Sequence, residues 1–412
     1  MRFLVSCVLM LSAFVAGGSA TESQGPAEGT SSYPEFNFPK VELHLHFGGA
    51  IRPETAFYYA QKRNIDIGVK SVEELVKRMT SKTTTQSEFI TMYDRIVASV
   101  AGDKEALKRV AYEIVETKAK EGAVYIEVRF SPHLYCTKIS DQRSWEHALG
   151  DLPPEEGEEP YVVDTEREHM CMNIPTDSRI GPEEAILAIT EGLAEGERDF
   201  GCKARSLLCC IRPHPAWSYE VVQLAKKYRH LGIVGIDLAA VEREGSTVYW
   251  GHVKAYQEAE RAGIYRTVHA AEAGSAENLR QALDVLKANR IGHGYNVQDD
   301  PALFKRCADI KVHFEVCPHG ARRRGMRSPD RRHIADSVKN FFAAGINFGL
   351  NTDDPTFHRT TLPSVYMMAI DQGLTVEDIK RLNLNAAEAC FLPDDEKAEL
   401  IRELKTAYGM QD

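Results

Sequence analysis

The sequence predicts an α/β protein, a (β/α)8 TIM barrel. Three observations lead there. Eight short β-type runs recur along the chain, each separated from the next by a longer helical pattern. Several runs are nearly continuous in apolar residues, as parallel strands covered on both faces must be. Ionisable side chains collect where those runs end, and the ends of its strands are where a barrel of this type carries its chemistry.

The first four runs are KVELHLHF (40–47), AVYIEVRFS (123–131), ARSLLCCIR (204–212) and IVGIDLAA (233–240). The second half supplies YRTVHAAE (265–272), RIGHGY (290–295), IKVHFEVCP (310–318) and INFGLNTDDP (346–355). Helical spacing fills the gaps, for example over 104–122 and over 251–263, where Gly263 is a good C-terminal stop. An open doubly wound sheet is the competing arrangement. It is disfavoured because no glycine-rich dinucleotide fingerprint follows the first strand.

Residues 1–20 read as a cleaved secretory signal, with Arg2 before an apolar run from Phe3 to Ala16 and small residues Gly18 and Ala20 at the cleavage positions. This implies a secreted or lumenal protein, or a cytoplasmic one if the start site is misassigned. Residues 21–37 read as a flexible N-terminus and 38–412 as the barrel domain. An acidic, proline-bearing insertion at about 153–184 breaks the alternation after the second strand, and a mispredicted exon is the alternative there.

The 412 residues carry 60 acids against 50 bases, a net charge of −10, which argues against nucleic acid as a partner. No run after the leader is apolar long enough to span a bilayer. Cys209, Cys210 and Cys317 sit in apolar runs and are expected as buried thiols, while Cys136 and Cys171 flank part of the insertion and could pair after secretion. Secretion is compatible with a protein receptor, but the sequence carries no motif for one.

The strand ends hold the candidate chemistry. His44 and His46, two residues apart, lie on one face of the first strand. The fifth run ends with His269 and Glu272, the sixth carries His293, and the eighth ends with Asp353 and Asp354. His44, His46, His269 and Asp353 form an N/O set suited to one Zn2+ per chain at the C-terminal ends of the strands. Such a zinc lowers the pKa of water to about 7. Glu272 is placed as a proton donor, His293 to orient or deprotonate the attacking water, and Asp354 to accept a hydrogen bond from the substrate.

These motifs resemble the adenosine deaminases of the amidohydrolase superfamily. PKVELHLHFGGAIRPET, TVHAAEAGSAE, RIGHGY, NTDDP and LNLNAAEACFLPDDEK match that family in order, over roughly 38–410. The resemblance is to the classical branch rather than the secreted growth-factor branch. It implies a zinc hydrolase that attacks C6 of adenosine, 2′-deoxyadenosine or a related purine nucleoside and releases ammonia. Under it, Glu272 protonates N1, His293 positions the nucleophile and Asp354 contacts N7. Ala240, Gly48 and Phe89 fall at substrate-binding positions.

The chain departs from the family beside the substrate. Gly48 stands where the family has an aspartate that meets the ribose 5′-hydroxyl, so restoring Asp at this position is expected to improve the use of adenosine. Ala240 replaces a glycine whose N–H serves purine N3. Ala271 replaces another glycine, and residues 319–324 (HGARRR) replace a serine-rich turn. An alanine resists positive φ. Two readings follow: an active deaminase, or a weakened or inactive secreted relative that binds nucleoside or acts as an interaction protein. An adenine or AMP deaminase is a third.

Overall fold

The computed structural model describes residues 33–79, 86–136, 180–240, 242, 248–321 and 334–410, with side chains of the helix Gln86–Val100 described from Met92 onward. Eight strands appear in the expected order: β1 (Lys40–His46), β2 (Ala123–Phe130), β3 (Lys203–Ile211), β4 (Ile233–Ala239), β5 (Tyr265–Ala270), β6 (Arg290–His293), β7 (His313–Val316) and β8 (Asn347–Leu350). Each pairs in parallel with the next, in sequence order. Helices on the outside cover the apolar faces, as the near-continuous hydrophobic runs require.

Closure between β8 and β1 is partly made by side chains. The His46 amide donates to the Asp353 carbonyl at 3.0 Å, and the Asp353 amide to the His44 carbonyl at 3.1 Å. Deeper down, Asn351 Oδ1 accepts from the Leu43 and His44 amides (2.8 and 3.0 Å), and Asn383 Oδ1 accepts from Val41 (2.8 Å). Buried backbone donors thus find partners where the ladder is incomplete. This fixes the last residues after β8 beside the histidines of β1.

Two strands are shorter than the sequence suggests. The residues 310–312 do not join β7, because Ile310 ends the helix Pro301–Ile310 and Lys311 turns back at φ 54°. β8 stops at Leu350, since Asn351 turns its side chain onto the backbone of β1.

The helix Lys104–Lys120 is started by Asp103, whose carboxylate accepts from the Ala106 amide at 3.0 Å. It buries Leu107, Val110, Ile114 and Val115, each worth roughly 1.5–3 kcal/mol relative to exposure. The last helix, Asp394–Tyr408, brings Leu400, Leu404 and Tyr408 against Val41, Leu43 and Tyr125 in a second apolar cluster.

Inside the barrel the packing is ionic. Arg129 pairs with Asp237 (3.0 Å) and Glu315 (2.6 Å), and Arg290 with Glu127 (2.5 Å) and Glu315 (2.8 Å), all fully buried. Thr267 Oγ1 donates to Glu315 at 2.9 Å. Such a network persists only because every charge is paired and hydrogen-bonded.

The leader 1–20 lies outside the described residues, as do 137–179, Phe89's side chain, Cys171 and 322–324. Two boundaries move. Pro182–Glu184, read as the end of the insertion, form the first turn of the helix Pro182–Phe200. Phe36, inside the segment read as flexible, is buried with its ring 5.6 Å from Tyr366. Cys209, Cys210 and Cys317 are buried as expected. So is Cys136, whose thiol lies 3.3 Å from the His133 carbonyl. No helix among the described residues is long and apolar enough to cross a membrane.

Candidate metal and catalytic site at the barrel mouth

The structure brings His44, His46, His269, His293, Glu272, Asp353 and Asp354 to one end of the barrel. Ring nitrogens of His44, His46 and His269 all lie within 4.8 Å of one another, and a second such group joins His44, His293, Cys317 and Asp353. His46 Nε2 faces His269 Nε2 at 3.1 Å, and Asp353 Oδ1 is 3.4 Å from Nε2 of both His44 and His46.

The orientation of each imidazole follows from what binds its other nitrogen. His44 Nδ1 donates to Glu315 Oε2 at 2.7 Å, and His269 Nδ1 lies 3.0 Å from Asp237 Oδ2. Both carboxylates can only accept, so Nδ1 carries the proton and Nε2 turns a lone pair into the cluster. Tyr295 gives its hydroxyl proton to the Cys317 carbonyl (2.9 Å), so its oxygen accepts from His293 Nδ1 (3.1 Å). The His293 Nε2 lone pair then faces Glu272 Oε1 at 3.8 Å. Burial lowers the His293 pKa to about 3, which keeps that ring neutral.

The donor set fits a divalent cation. His44 Nε2 is fully buried and has no hydrogen-bond partner. Two guanidinium groups, Arg129 and Arg290, face three carboxylates, Glu127, Asp237 and Glu315, and Asp353 adds a fourth beside the imidazoles. Excess negative charge and an orphaned lone pair in a buried N/O cluster suit zinc.

Asp353 and Asp354 are pushed apart. Burial opposes ionisation of Asp353, but positive charge placed among the imidazoles of His293 and His44 beside it would hold the carboxyl well below the usual range. Burial raises Asp354 well above that range, reinforced by the charges of Asp353 and Glu272. Adjacent carboxyls split in this way take opposite roles. Burial of this kind favours the protonated, hydrogen-bond-donating form of Asp354. It reaches this position because Gly49 has no side chain: a Cβ there would lie 1.9 Å from Asp354 Oδ1.

Several residues that the sequence reading passed over organise the site. Glu242 is one: its carboxylate accepts from the amides of Ala271, Glu272, Ala273 and Gly274 at 2.8–3.2 Å, tying down the turn that carries Glu272. Arg212 donates to the His269 carbonyl and lies 3.7 Å from Glu242. Asp237 and Glu315 left a signal, a charged residue inside an otherwise apolar strand, since a buried charge requires a partner.

The departures also have a structural form. Ala240 sits at φ 80° and Ala271 at φ 53°, so each alanine holds a left-handed backbone. At Gly48, an added Cβ would lie 2.5 Å from the Tyr93 hydroxyl and 2.7 Å from the Tyr135 hydroxyl. An aspartate there would require the ends of both phenol side chains to move aside.

A parallel barrel with buried imidazoles and carboxyl groups gathered at its mouth, able to hold a metal ion, fits the amidohydrolase type of hydrolase. The adenosine deaminase family profile matches residues 39–407, and the chain belongs to that family. It is 45% identical to the adenosine deaminase of Bos taurus over 380 residues, covering 92% of this chain and 96% of that protein. It is 31% identical to that of Enterococcus faecalis, covering 90% and 97%. Among solved structures, a zinc-bound amidohydrolase from Burkholderia ambifaria superposes with a TM-score of 0.71 at 24% identity, over 90% of this chain and 91% of that one.

Proposed function

We propose that the protein hydrolyses adenosine, 2′-deoxyadenosine or a related purine nucleoside to the corresponding inosine and ammonia. His44, His46, His269 and Asp353 would hold one zinc ion. When bound, zinc acidifies water and so supplies a nucleophile at neutral pH.

The protein's own groups do the rest. Asp354, protonated, donates to purine N7, which is an acceptor. Glu272 passes a proton to N1 as water adds to C6, which drains charge from the ring and makes C6 electrophilic. The neutral His293 turns its Nε2 lone pair to the attacking water and orients it. The added hydroxyl then passes its proton by way of Glu272 to the amino group, which departs as ammonia, and the proton released when water became the nucleophile restores Glu272. The split Asp353 and Asp354 pair carries this reading: one carboxylate for a metal and one carboxylic acid for a base nitrogen, on adjacent residues.

The leader read in residues 1–20 supports secretion or delivery to a lumen. The deciding measurement follows the ultraviolet change from adenosine to inosine with purified protein, alongside metal analysis. About one zinc per chain and turnover are expected. No change with several purine nucleosides at high protein concentration would leave the nucleoside-binding alternative in its place.

A further inference from the structure

The mouth contains two phenols that the chemistry above does not use. Tyr93 comes from the helix Gln86–Val100 and is half-buried, its ring stacked on Phe357 at 5.5 Å and 28°. Tyr135 follows β2 and is buried against Phe47, ring centroids 5.1 Å apart. Their hydroxyls converge on the space above Gly48, within 2.5 and 2.7 Å of where its Cβ would be. The missing side chain of Gly48 leaves room for both. Both phenols lie within electrostatic range of Asp354.

The direction from Asp354 decides what this pair can meet. N7, C8 and N9 are consecutive in the imidazole ring of a purine, and N9 bears the sugar. With Asp354 on N7, the next polar group along that edge faces the sugar, and in an anti nucleoside the 5′-carbon lies over C8. Tyr135, packed against Phe47 and Phe130, flanks Tyr93 over Gly48. Tyr93 is the less buried residue of the two, and its hydroxyl is then the one directed to a ligand.

We propose that Tyr93 is a specificity-determining residue that hydrogen-bonds the 5′-hydroxyl of the nucleoside, with Tyr135 as its positioning residue. The sugar end is thereby read by a neutral phenol pair that occupies the volume an acidic side chain at position 48 would need. This inference rests on the proposed deaminase reading, specifically on Asp354 meeting N7.

The test crosses one protein change with one substrate change. Wild type and Tyr93→Phe are compared on adenosine and on 5′-deoxyadenosine, with 3′-deoxyadenosine as the control sugar. Phenylalanine keeps the stack on Phe357 and removes only the hydroxyl. The Tyr93→Phe penalty in kcat/KM should be about tenfold larger on adenosine than on 5′-deoxyadenosine, the worth of one such hydrogen bond, and should fall mainly in KM. The penalty on 3′-deoxyadenosine should match that on adenosine. Tyr135→Phe should give the same pattern with a smaller coupling. Equal penalties on adenosine and 5′-deoxyadenosine would overturn the proposal, as would a coupling that follows the 3′-hydroxyl. Wild type inactive on all three substrates would instead remove the deaminase reading itself, so the two failures are distinguishable.

Discussion

The two halves of the mouth are built on different principles. In the half that holds the imidazoles, orientation is set by side chains on side chains: Glu315 on His44, Asp237 on His269, Tyr295 on His293. In the half that faces base and sugar, the backbone carries more of the work. Ala240 and Ala271 hold left-handed backbone, the Ala271 amide is taken up by Glu242, and the space at Gly48 is filled from two other elements. A ligand nitrogen or proton donor must be one particular atom in one place. A pocket wall only needs a shape and a hydrogen-bonding group, which several residue types can supply. The family departures fall in the second half for that reason.

Three measurements probe this contrast. The largest effect is expected at Glu272→Gln, which keeps shape and amide contacts but removes the transferable proton. Its kcat should fall by about 10²–10⁴-fold with zinc content unchanged. Turnover close to wild type would take the proton-transfer role away from Glu272. A smaller effect is expected at Asp237→Asn, which loosens the hold on His269. Zinc affinity should drop by about 10–100-fold in competition with a chelator, and undiminished affinity would mean that Arg129 rather than the ring was its main partner. The smallest effect lies in the substrate half. Ala240→Gly and Ala271→Gly should each stabilise the fold by about 0.5–1 kcal/mol in urea unfolding, because left-handed backbone costs alanine more than glycine. Unfolded glycine is more flexible, which offsets part of that gain. A loss of stability in both variants would show that the methyl groups contribute packing that exceeds the strain.

Much of the fold was legible because parallel strands buried on both faces leave near-continuous apolar runs, and those runs predicted β1 to β6 to within a residue or two. The two shortened strands were harder. Where Lys311 reverses the chain, and where Asn351 abandons the ladder to serve β1, the decision rests on contacts with distant residues. At the site, His44, His46, His269, His293, Glu272, Asp353 and Asp354 could be singled out one by one from strand ends. Glu242 and the Tyr93–Tyr135 pair could not. Glu242 follows β4 yet binds amides 29–32 residues later, and Tyr93 and Tyr135 come from separate elements.

The sequence by itself therefore determined the barrel and the cast of reactive groups, because burial and strand periodicity are local properties of residue order. Only the tertiary structure decided which nitrogen of each imidazole faces the cluster, and which of two adjacent aspartates burial pushes toward its protonated form. It also placed two phenol hydroxyls in the space beside position 48. Those outcomes depend on burial and on charges brought together from β1, β4, β5, β6 and β7, and electrostatic energy in a buried site is a property of the whole arrangement.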